Sequence, residues 1–220
     1  MRHLLQPRVL NLASLAALVS ALASYPRLTL WVTRHNPVWF LEITIFLCGI
    51  VLWGFVFAWH TVYVKKPVFD FKPEPRSFIT VTLTGIAMAV VYDLFLDPSF
   101  RTKLPEEYPP DFSHWLAYLP FALAFNQLFI TFAPCDWCMR LFRRTWVACS
   151  LTAIFGAFVL LMNIQAHEEP VSTPLMAGLM AVRITMGFLA VSFYLRGGVV
   201  LSWWWTIVLE SRHLFHLNGR

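Results

Sequence analysis

Residues 38–63 read VWFLEITIFLCGIVLWGFVFAWHTVY, an apolar stretch that contains one carboxylate, Glu42, and one histidine, His60. An α-helix rises about 1.5 Å per residue, so about 20 apolar residues cross the roughly 30 Å of hydrocarbon in a bilayer. This stretch is long enough to do so, and we predict that it forms a transmembrane helix.

Six further stretches are similarly apolar and low in charge. They are residues 9–24, 77–96, 114–133, 145–164, 174–195 and 198–217. The first is short and ends in Ala21-Leu22-Ala23-Ser24, which also suits the end of a signal peptide, but we interpret it as a helix. The sequence therefore predicts an all-α fold, a polytopic transmembrane helical bundle of about seven spans. It forms a single integral membrane domain over residues 1–220.

The composition argues against a second, soluble domain. Hydrophobic residues make up 58% of the 220 positions and charged residues 13%, about half the charged share of soluble domains. The formal charge of +5 lies in short clusters beside the apolar runs, not in a basic stripe with interleaved aromatic residues. We therefore predict no nucleic-acid binding. The predicted partners are the lipid bilayer and other membrane protein subunits.

The distribution of basic residues indicates the orientation of the chain. One face of the predicted bundle carries Arg2, Arg8, Lys65, Lys66, Lys72, Arg76, Arg140, Arg143, Arg144 and Arg196. The other face carries Glu106, Glu107, Asp111, Glu168 and Glu169, together with Arg27, Arg34, Arg101 and Lys103. Loops rich in Lys and Arg stay in the cytoplasm. We expect a protein of the bacterial inner (cytoplasmic) membrane with a cytoplasmic amino terminus.

Four polar residues fall deep within the predicted spans, near the midplane when counted from the span ends. They are Asn126, Gln127, Arg183 and Glu210. An ionisable group in hydrocarbon is costly unless it is paired. We expect an Arg183–Glu210 ion pair whose hydrogen bonds are completed by an amide. The sequence leaves open whether this polar cluster is structural or functional.

Histidines supply the candidate metal and cofactor ligands. Glu210, His213 and His216 are spaced three apart, so a helix places them along one stripe. Such a stripe offers three metal ligands, although interfacial histidines explain it as well and the zinc motif His-Glu-x-x-His is absent. His60, inside a span, could ligate a haem or chlorin. The cofactor, if any, is unknown at this point.

Cys135 and Cys138 form a Cys-x-x-Cys motif after Pro134. The motif superficially resembles that of the quinone-linked disulfide-forming membrane proteins. Their chemistry needs an oxidising face and a second cysteine pair in a loop on that face. Here the arginines after the motif indicate the reducing side, and the opposite loops contain no cysteine. We therefore do not expect a redox function.

The second half of the chain carries a family resemblance. The stretch Gly187-Phe188-Leu189, the turn Tyr194-Leu195-Arg196-Gly197-Gly198, the helix on to Leu209 and the Arg143-Arg144 turn carry it. Over about residues 70–217 they resemble the CPBP membrane family, which includes CAAX prenyl proteases and bacteriocin-processing and immunity proteins. The resemblance implies a helical membrane fold. In active members it implies Glu-Glu-x-x-x-Arg, Phe-x-x-x-His and His-x-x-x-Asn motifs that activate a water against a peptide bond.

This chain departs from each of those motifs. The glutamate pair is replaced by Asn126-Gln127 or by Cys135-Asp136, the latter with Arg140 at the right spacing. Met162 stands where the second motif has histidine. The last histidine falls near Glu210, and His213 is followed four residues later by Leu217. General-base hydrolysis needs a carboxylate or imidazole that takes a proton from water, so the resemblance implies the fold more than the activity.

We therefore expect a CPBP-like pseudoenzyme that acts as a binding or accessory subunit in a membrane assembly. One alternative is an active intramembrane peptidase that uses Asp136, Glu210 or His213 in displaced roles. The other is a pigment- or cofactor-associated subunit of a photosynthetic or respiratory complex, with His60 as the ligand. An active protease needs at least two titratable groups at one depth, whereas a subunit needs none.

Overall fold

A computed structural model describes residues 4–31, 37–98, 101, 108–165 and 173–217. Several residues used to predict the orientation lie outside this part of the chain. They are Arg2, Arg34, Lys103, Glu106, Glu107, Glu168 and Glu169. The described residues form helices joined by turns and loops, and the predicted all-α fold is confirmed.

Seven helical segments follow one another along the described chain. They are α1 (Pro7–Leu30), α2 (Val38–Trp59), α3 (Pro75–Val91), α4 (Phe112–Phe142), α5 (Thr145–Gln165), α6 (173–196) and α7 (199–210). Short π-helices extend α2 over His60–Val64 and α3 over Tyr92–Leu96, and a 3₁₀-helix, Ser211–His216, follows α7. Six described stretches are long and apolar enough to cross a membrane, and this is an integral membrane protein. The last, Leu175–His216, contains both α6 and α7.

Two helices differ in length from their predictions. The first predicted span, 9–24, is part of a longer helix, Pro7–Leu30. The fourth continues past residue 133 to Phe142, because Pro134 stands at the start of the segment Ala133–Phe142, directly after a π-helical turn. The Cys-x-x-Cys motif and Asp136 therefore lie within α4 and not at its entrance.

Small residues let neighbouring helices approach closely. Gly49 of α2 faces Ala17 of α1, where an added Cβ would lie 3.1 Å from the alanine Cβ. Gly187 of α6 faces the backbone of Ala153 in α5, where an added Cβ would lie 2.8 Å from the alanine Cα. Close backbone contact is the usual source of helix association in lipid, where burial of apolar surface adds little.

The chain reverses between α6 and α7 at Gly197 and Gly198. Both glycines have non-helical backbone angles, and the rings of Phe193 and Trp205, on either side of the turn, lie 5.1 Å apart. Tryptophans then attach α7 to its neighbours. Trp203 Nε1 donates to the Leu123 carbonyl of α4 at 2.8 Å, and Trp204 Nε1 donates to Thr82 of α3 at 2.9 Å.

The loop between α2 and α3 is fastened to this turn. The Val199 amide donates to the Val68 carbonyl at 2.9 Å, and Lys66 Nζ donates to the Arg196 carbonyl at 2.6 Å. Gly198 has φ +65° and ψ −159°, and an added Cβ there would lie 2.3 Å from the Val68 oxygen. We call this end of the bundle the His60 end and the opposite end, where α3 finishes and α4 begins, the Glu210 end.

Replacement of Gly198 should therefore destabilise the bundle. Gly198→Ala forces a side chain into a backbone region used almost only by glycine, and this alone costs about 1–3 kcal/mol of the free energy of unfolding. Gly178→Ala is the matched control, because nothing lies within 4 Å of an added Cβ there. Thermal unfolding of both purified variants in one detergent measures the effect. Equal unfolding temperatures of the two variants would contradict the requirement for glycine at the contact between this turn and the α2–α3 loop.

Candidate functional site

Buried ion pairs connect α3 and α7 at the Glu210 end. Glu210 Oε2 accepts a hydrogen bond from Arg212 Nη1 at 3.2 Å and lies 3.1 Å from His213 Nε2. Arg212 Nε donates to Asp97 Oδ2 at 3.2 Å, and Tyr108 donates to Asp97 Oδ1 at 2.9 Å. Asp97, Glu210 and Arg212 are each less than a tenth exposed. Buried charges persist only when paired in this way.

The ends of two helices bring these residues together. The α-helix of α7 finishes at Glu210, and the 3₁₀-helix that follows turns Arg212 and His213 back towards it. On α3, the π-helix Tyr92–Leu96 leads directly into Asp97. A π-helical turn holds about one residue more than an α-helical turn, and such turns inside α-helices are frequent at functional sites.

Weaker contacts surround this network. Arg101 lies 3.7 Å from Asp97, and His216 contacts Asp93. Burial, reinforced by the Asp97 carboxylate, raises the pKa of Tyr108 well above its usual range. Tyr108 therefore stays protonated and serves as a hydrogen-bond donor.

The predicted Arg183–Glu210 ion pair is not formed. Glu210 pairs with Arg212 and His213 instead, and its backbone carbonyl accepts a hydrogen bond from Trp115 in the first turn of α4. Glu210 thus lies towards one end of the bundle and not at its midplane. The predicted depth of Glu210 requires an α-helix that continues to residue 217. The α-helix ends at Glu210 instead, so the residues of the following 3₁₀-helix can reach the Glu210 side chain.

The four residues of the predicted polar cluster nevertheless share one space. A cavity of about 600 Å³ lies beside the ion pairs, and a smaller one of about 80 Å³ adjoins Asn126, Gln127, Arg183 and Glu210. The larger cavity is lined by Tyr92, Tyr108, Tyr118, Asn126, Ile130, Val159, Leu160, Met162, Asn163, Leu179, Arg183, Leu209, Glu210, Arg212 and His213.

Two polar side chains of this cavity are free of partners among the described residues. Arg183 and Asn126 form no side-chain hydrogen bond or ion pair there, although the Arg183 charge acts on Glu210 through space. Gln127 Oε1 is buried and also has no partner. The cavity therefore combines a saturated ion-pair network with unoccupied donors and an apolar wall.

A second buried cluster lies at the His60 end. His60 Nδ1 is 3.2 Å from Asp136 Oδ1, and Tyr194 donates to Asp136 Oδ2 at 2.5 Å. All three residues are fully buried. The cluster joins α2, α4 and α6, and Arg140 lies 4.3 Å above the ring of the adjacent Trp59.

The environment of His60 weighs against haem or chlorin ligation. Asp136 holds one ring nitrogen, and the other, Nε2, is enclosed by protein with no hydrogen-bond partner. Carboxylate support of a histidine is common in metal sites. A metal or macrocycle at Nε2 would nevertheless have to displace the side chains that enclose it.

The candidate catalytic and metal residues do not converge on one site. Glu210 and His213 are in contact, but His216 is directed to Asp93, and Asp136 lies in the cluster at the other end. In the part of the chain that the structure describes, no three His, Cys, Asp or Glu side chains are grouped to hold a metal ion. Cys135 and Cys138 are free thiols.

Sequence reasoning missed Asp97, Arg212 and Tyr194. Asp97 lies one residue beyond the predicted span 77–96, although a buried Tyr–Asp–Arg network depends on it. Arg212 is two residues from Glu210, a spacing that does not meet on an α-helix. Only the end of α7 brings them together. An arginine late in an apolar segment was the one available signal.

No family model, curated protein or solved structure matches this chain. The CPBP resemblance therefore stays a prediction, and the candidate site is interpreted from its geometry alone.

Loss of the Arg212 cation should destabilise the Glu210 end strongly. Arg212→Gln leaves the Asp97 and Glu210 carboxylates without their shared partner, and such a change lowers the free energy of unfolding by about 3–5 kcal/mol. The control is Arg101→Gln, because Arg101 lies 3.7 Å from Asp97 and is 28% exposed. It should cost about 1 kcal/mol or less. Denaturant unfolding in detergent measures the free energy of unfolding of both variants. Equal losses in the two would contradict the role of the Arg212 ion pairs.

Proposed function

We propose that this protein is a non-catalytic binding subunit of a membrane assembly. Its cavity at the Glu210 end would hold the anionic group of an amphiphilic ligand. One observation carries the proposal. Arg183 and Asn126 line a cavity of about 600 Å³ and have no side-chain partner among the described residues. A guanidinium at membrane depth is costly without a partner, so a ligand that supplies one gains affinity.

The chemistry of the cavity favours a carboxylate or phosphate joined to an apolar chain. A guanidinium binds either group through two parallel hydrogen bonds, and the Asn126 amide can add a third. The apolar part of the ligand would contact Ile130, Leu160 and Leu179. A volume of about 600 Å³ is within the range of pockets for small molecules.

The ion pairs favour binding over hydrolysis. A general base must be free to take a proton from water. Glu210 Oε2 already contacts both Arg212 and His213, and the His213 ring also packs edge-on against Tyr108 at 5.4 Å. The Glu210–His213 contact is the one feature that favours the alternative, an intramembrane peptidase with displaced catalytic residues.

The setting of this subunit is part of the same proposal. We infer a CPBP-like architecture in the bacterial inner membrane, with the amino terminus in the cytoplasm and neighbouring subunits of a membrane assembly as partners. The clustering of Lys65, Lys66, Lys72 and Arg196 at the His60 end supports this orientation, since basic loops stay in the cytoplasm.

A photoreactive fatty acid with a free carboxylate tests the cavity. The purified protein should be labelled on the α5 and α6 peptides that contain Leu160 and Leu179, which mass spectrometry identifies. Arg183→Gln should lower this labelling about tenfold, because hydrogen bonds to a charged group are among the strongest in proteins. Arg76→Gln, an exposed arginine at the other end of the bundle, should leave it unchanged.

The methyl ester of the same probe separates anion recognition from apolar contact. We expect weak labelling by the ester in wild type and in Arg183→Gln alike. Strong labelling by the ester, or undiminished labelling of Arg183→Gln by the acid, would show that the cavity does not select an anionic group.

The size of the native particle tests the role as a subunit. Extracted in mild detergent from its own membrane, the 25.4 kDa chain should migrate with stoichiometric partner proteins. A particle that contains this chain alone would count against an assembly. In that case the peptidase alternative is tested with quenched fluorescent peptides and the Glu210→Gln and His213→Ala variants.

A further inference from the structure

A third cavity lies at the His60 end, outside the helical bundle. The loop between α2 and α3, the first turn of α3 and the end of α6 border an open cavity of about 540 Å³. Its lining consists of Lys66, Asp70, Lys72, Pro73, Glu74, Ser77 and Arg196. The Val68–Val199 hydrogen bond and the Gly198 turn hold this loop in place, so the cavity is a built feature of the fold.

Both signs of charge line this cavity without neutralising each other. No ion pair within 4.0 Å joins Asp70 or Glu74 to Lys66, Lys72 or Arg196; all five residues are described. Lys66 Nζ donates to a backbone carbonyl, and Asp70 Oδ1 accepts from the Lys72 amide. Three cations and two carboxylates thus share a small space while their charges remain available to a ligand.

The surroundings of the cavity indicate contact with lipid. Phe71, between Asp70 and Lys72 in the loop, is 77% exposed, and its ring stacks on Phe69 at 6.2 Å. An aromatic side chain set among basic residues at the end of a transmembrane bundle lies at the boundary of head groups and acyl chains. No side chain caps α3 at Glu74, so its first amides add a partial positive charge beside Ser77.

We propose that this cavity binds a phosphate group that carries a primary ammonium, as in the head group of an aminophospholipid. The phosphate would contact Lys72, Arg196 and Lys66, and the ammonium would contact Asp70 and Glu74. A purely anionic head group would satisfy the cations and leave the two carboxylates opposed to it. The mixture of charges therefore selects the zwitterion with a donating ammonium.

Native mass spectrometry of the detergent-purified full chain tests this selection. Short-chain phosphatidylethanolamine should bind at least fivefold more tightly than phosphatidylglycerol or phosphatidylcholine, whose quaternary ammonium donates no hydrogen bond. Lys72→Gln with Arg196→Gln should lower this affinity about tenfold. Asp70→Asn with Glu74→Gln should reverse the preference in favour of phosphatidylglycerol.

Lys65→Gln with Arg144→Gln is the matched control, because it removes one lysine and one arginine from the same end but from outside the cavity lining. This variant should retain the preference of the wild type. Gel filtration and circular dichroism check the fold, and Lys72→Gln alone, an exposed side chain, replaces the double variant if that fails to fold.

Free phosphoethanolamine separates the two sources of this chemistry. Competition by millimolar phosphoethanolamine supports the head-group chemistry with a soluble source, whereas its failure to compete with bound lipid supports the membrane source. Equal binding of the three lipids would overturn the proposal. An unchanged preference in the Asp70/Glu74 variant, or the same loss in the control as in the Lys72/Arg196 variant, would also overturn it.

Discussion

The reversal of the chain at Gly197 and Gly198 is the constraint on which both polar clusters depend. It directs α7 back through the bundle, so that Phe193 meets Trp205 and the segment returns to the Glu210 end. Immediately before the turn, Tyr194 reaches Asp136. At the far end of α7, Arg212 reaches Asp97. A side chain on Gly198 would collide with the loop that this turn supports, so the geometry requires glycine there.

The two arginines at the Glu210 end, Arg212 and Arg183, differ in how their charge is paired. In the network of Asp97, Arg212 and Glu210, each charge has an opposite neighbour. The two carboxylates therefore stabilise the fold more than they serve proton transfer. Arg183, on the wall of the adjoining cavity, forms no ion pair among the described residues and only a through-space interaction with Glu210. This contrast between a satisfied and an unsatisfied cation carries the functional interpretation, since an uncompensated group at depth needs a partner from elsewhere.

Apolar runs made the helices predictable, because the length needed to cross hydrocarbon is fixed by the helical rise. Asn126, Gln127, Arg183 and Glu210 line one space, but the common midplane depth predicted for them does not hold for Glu210, which lies nearer one end. Direct partners were not foreseen. Arg212 meets Glu210 only because α7 ends between them, and His60 meets Asp136 only because α4 continues beyond Pro134. Helix ends and long-range pairings follow from packing, which hydropathy does not encode.

Two π-helical stretches, Ala122–Asn126 and Leu128–Phe132, lie between Tyr118, which lines the larger cavity, and Asp136 in the cluster at the other end of α4. Each such stretch holds one more residue than an ordinary turn, and one residue corresponds to about 100° of rotation about the helix axis. The angular position of Asp136 relative to Tyr118 is therefore set by these inserted residues. Loss of one by deletion would turn one end of α4 against the other, so a change of chain length there can alter one cluster while the other keeps its contacts.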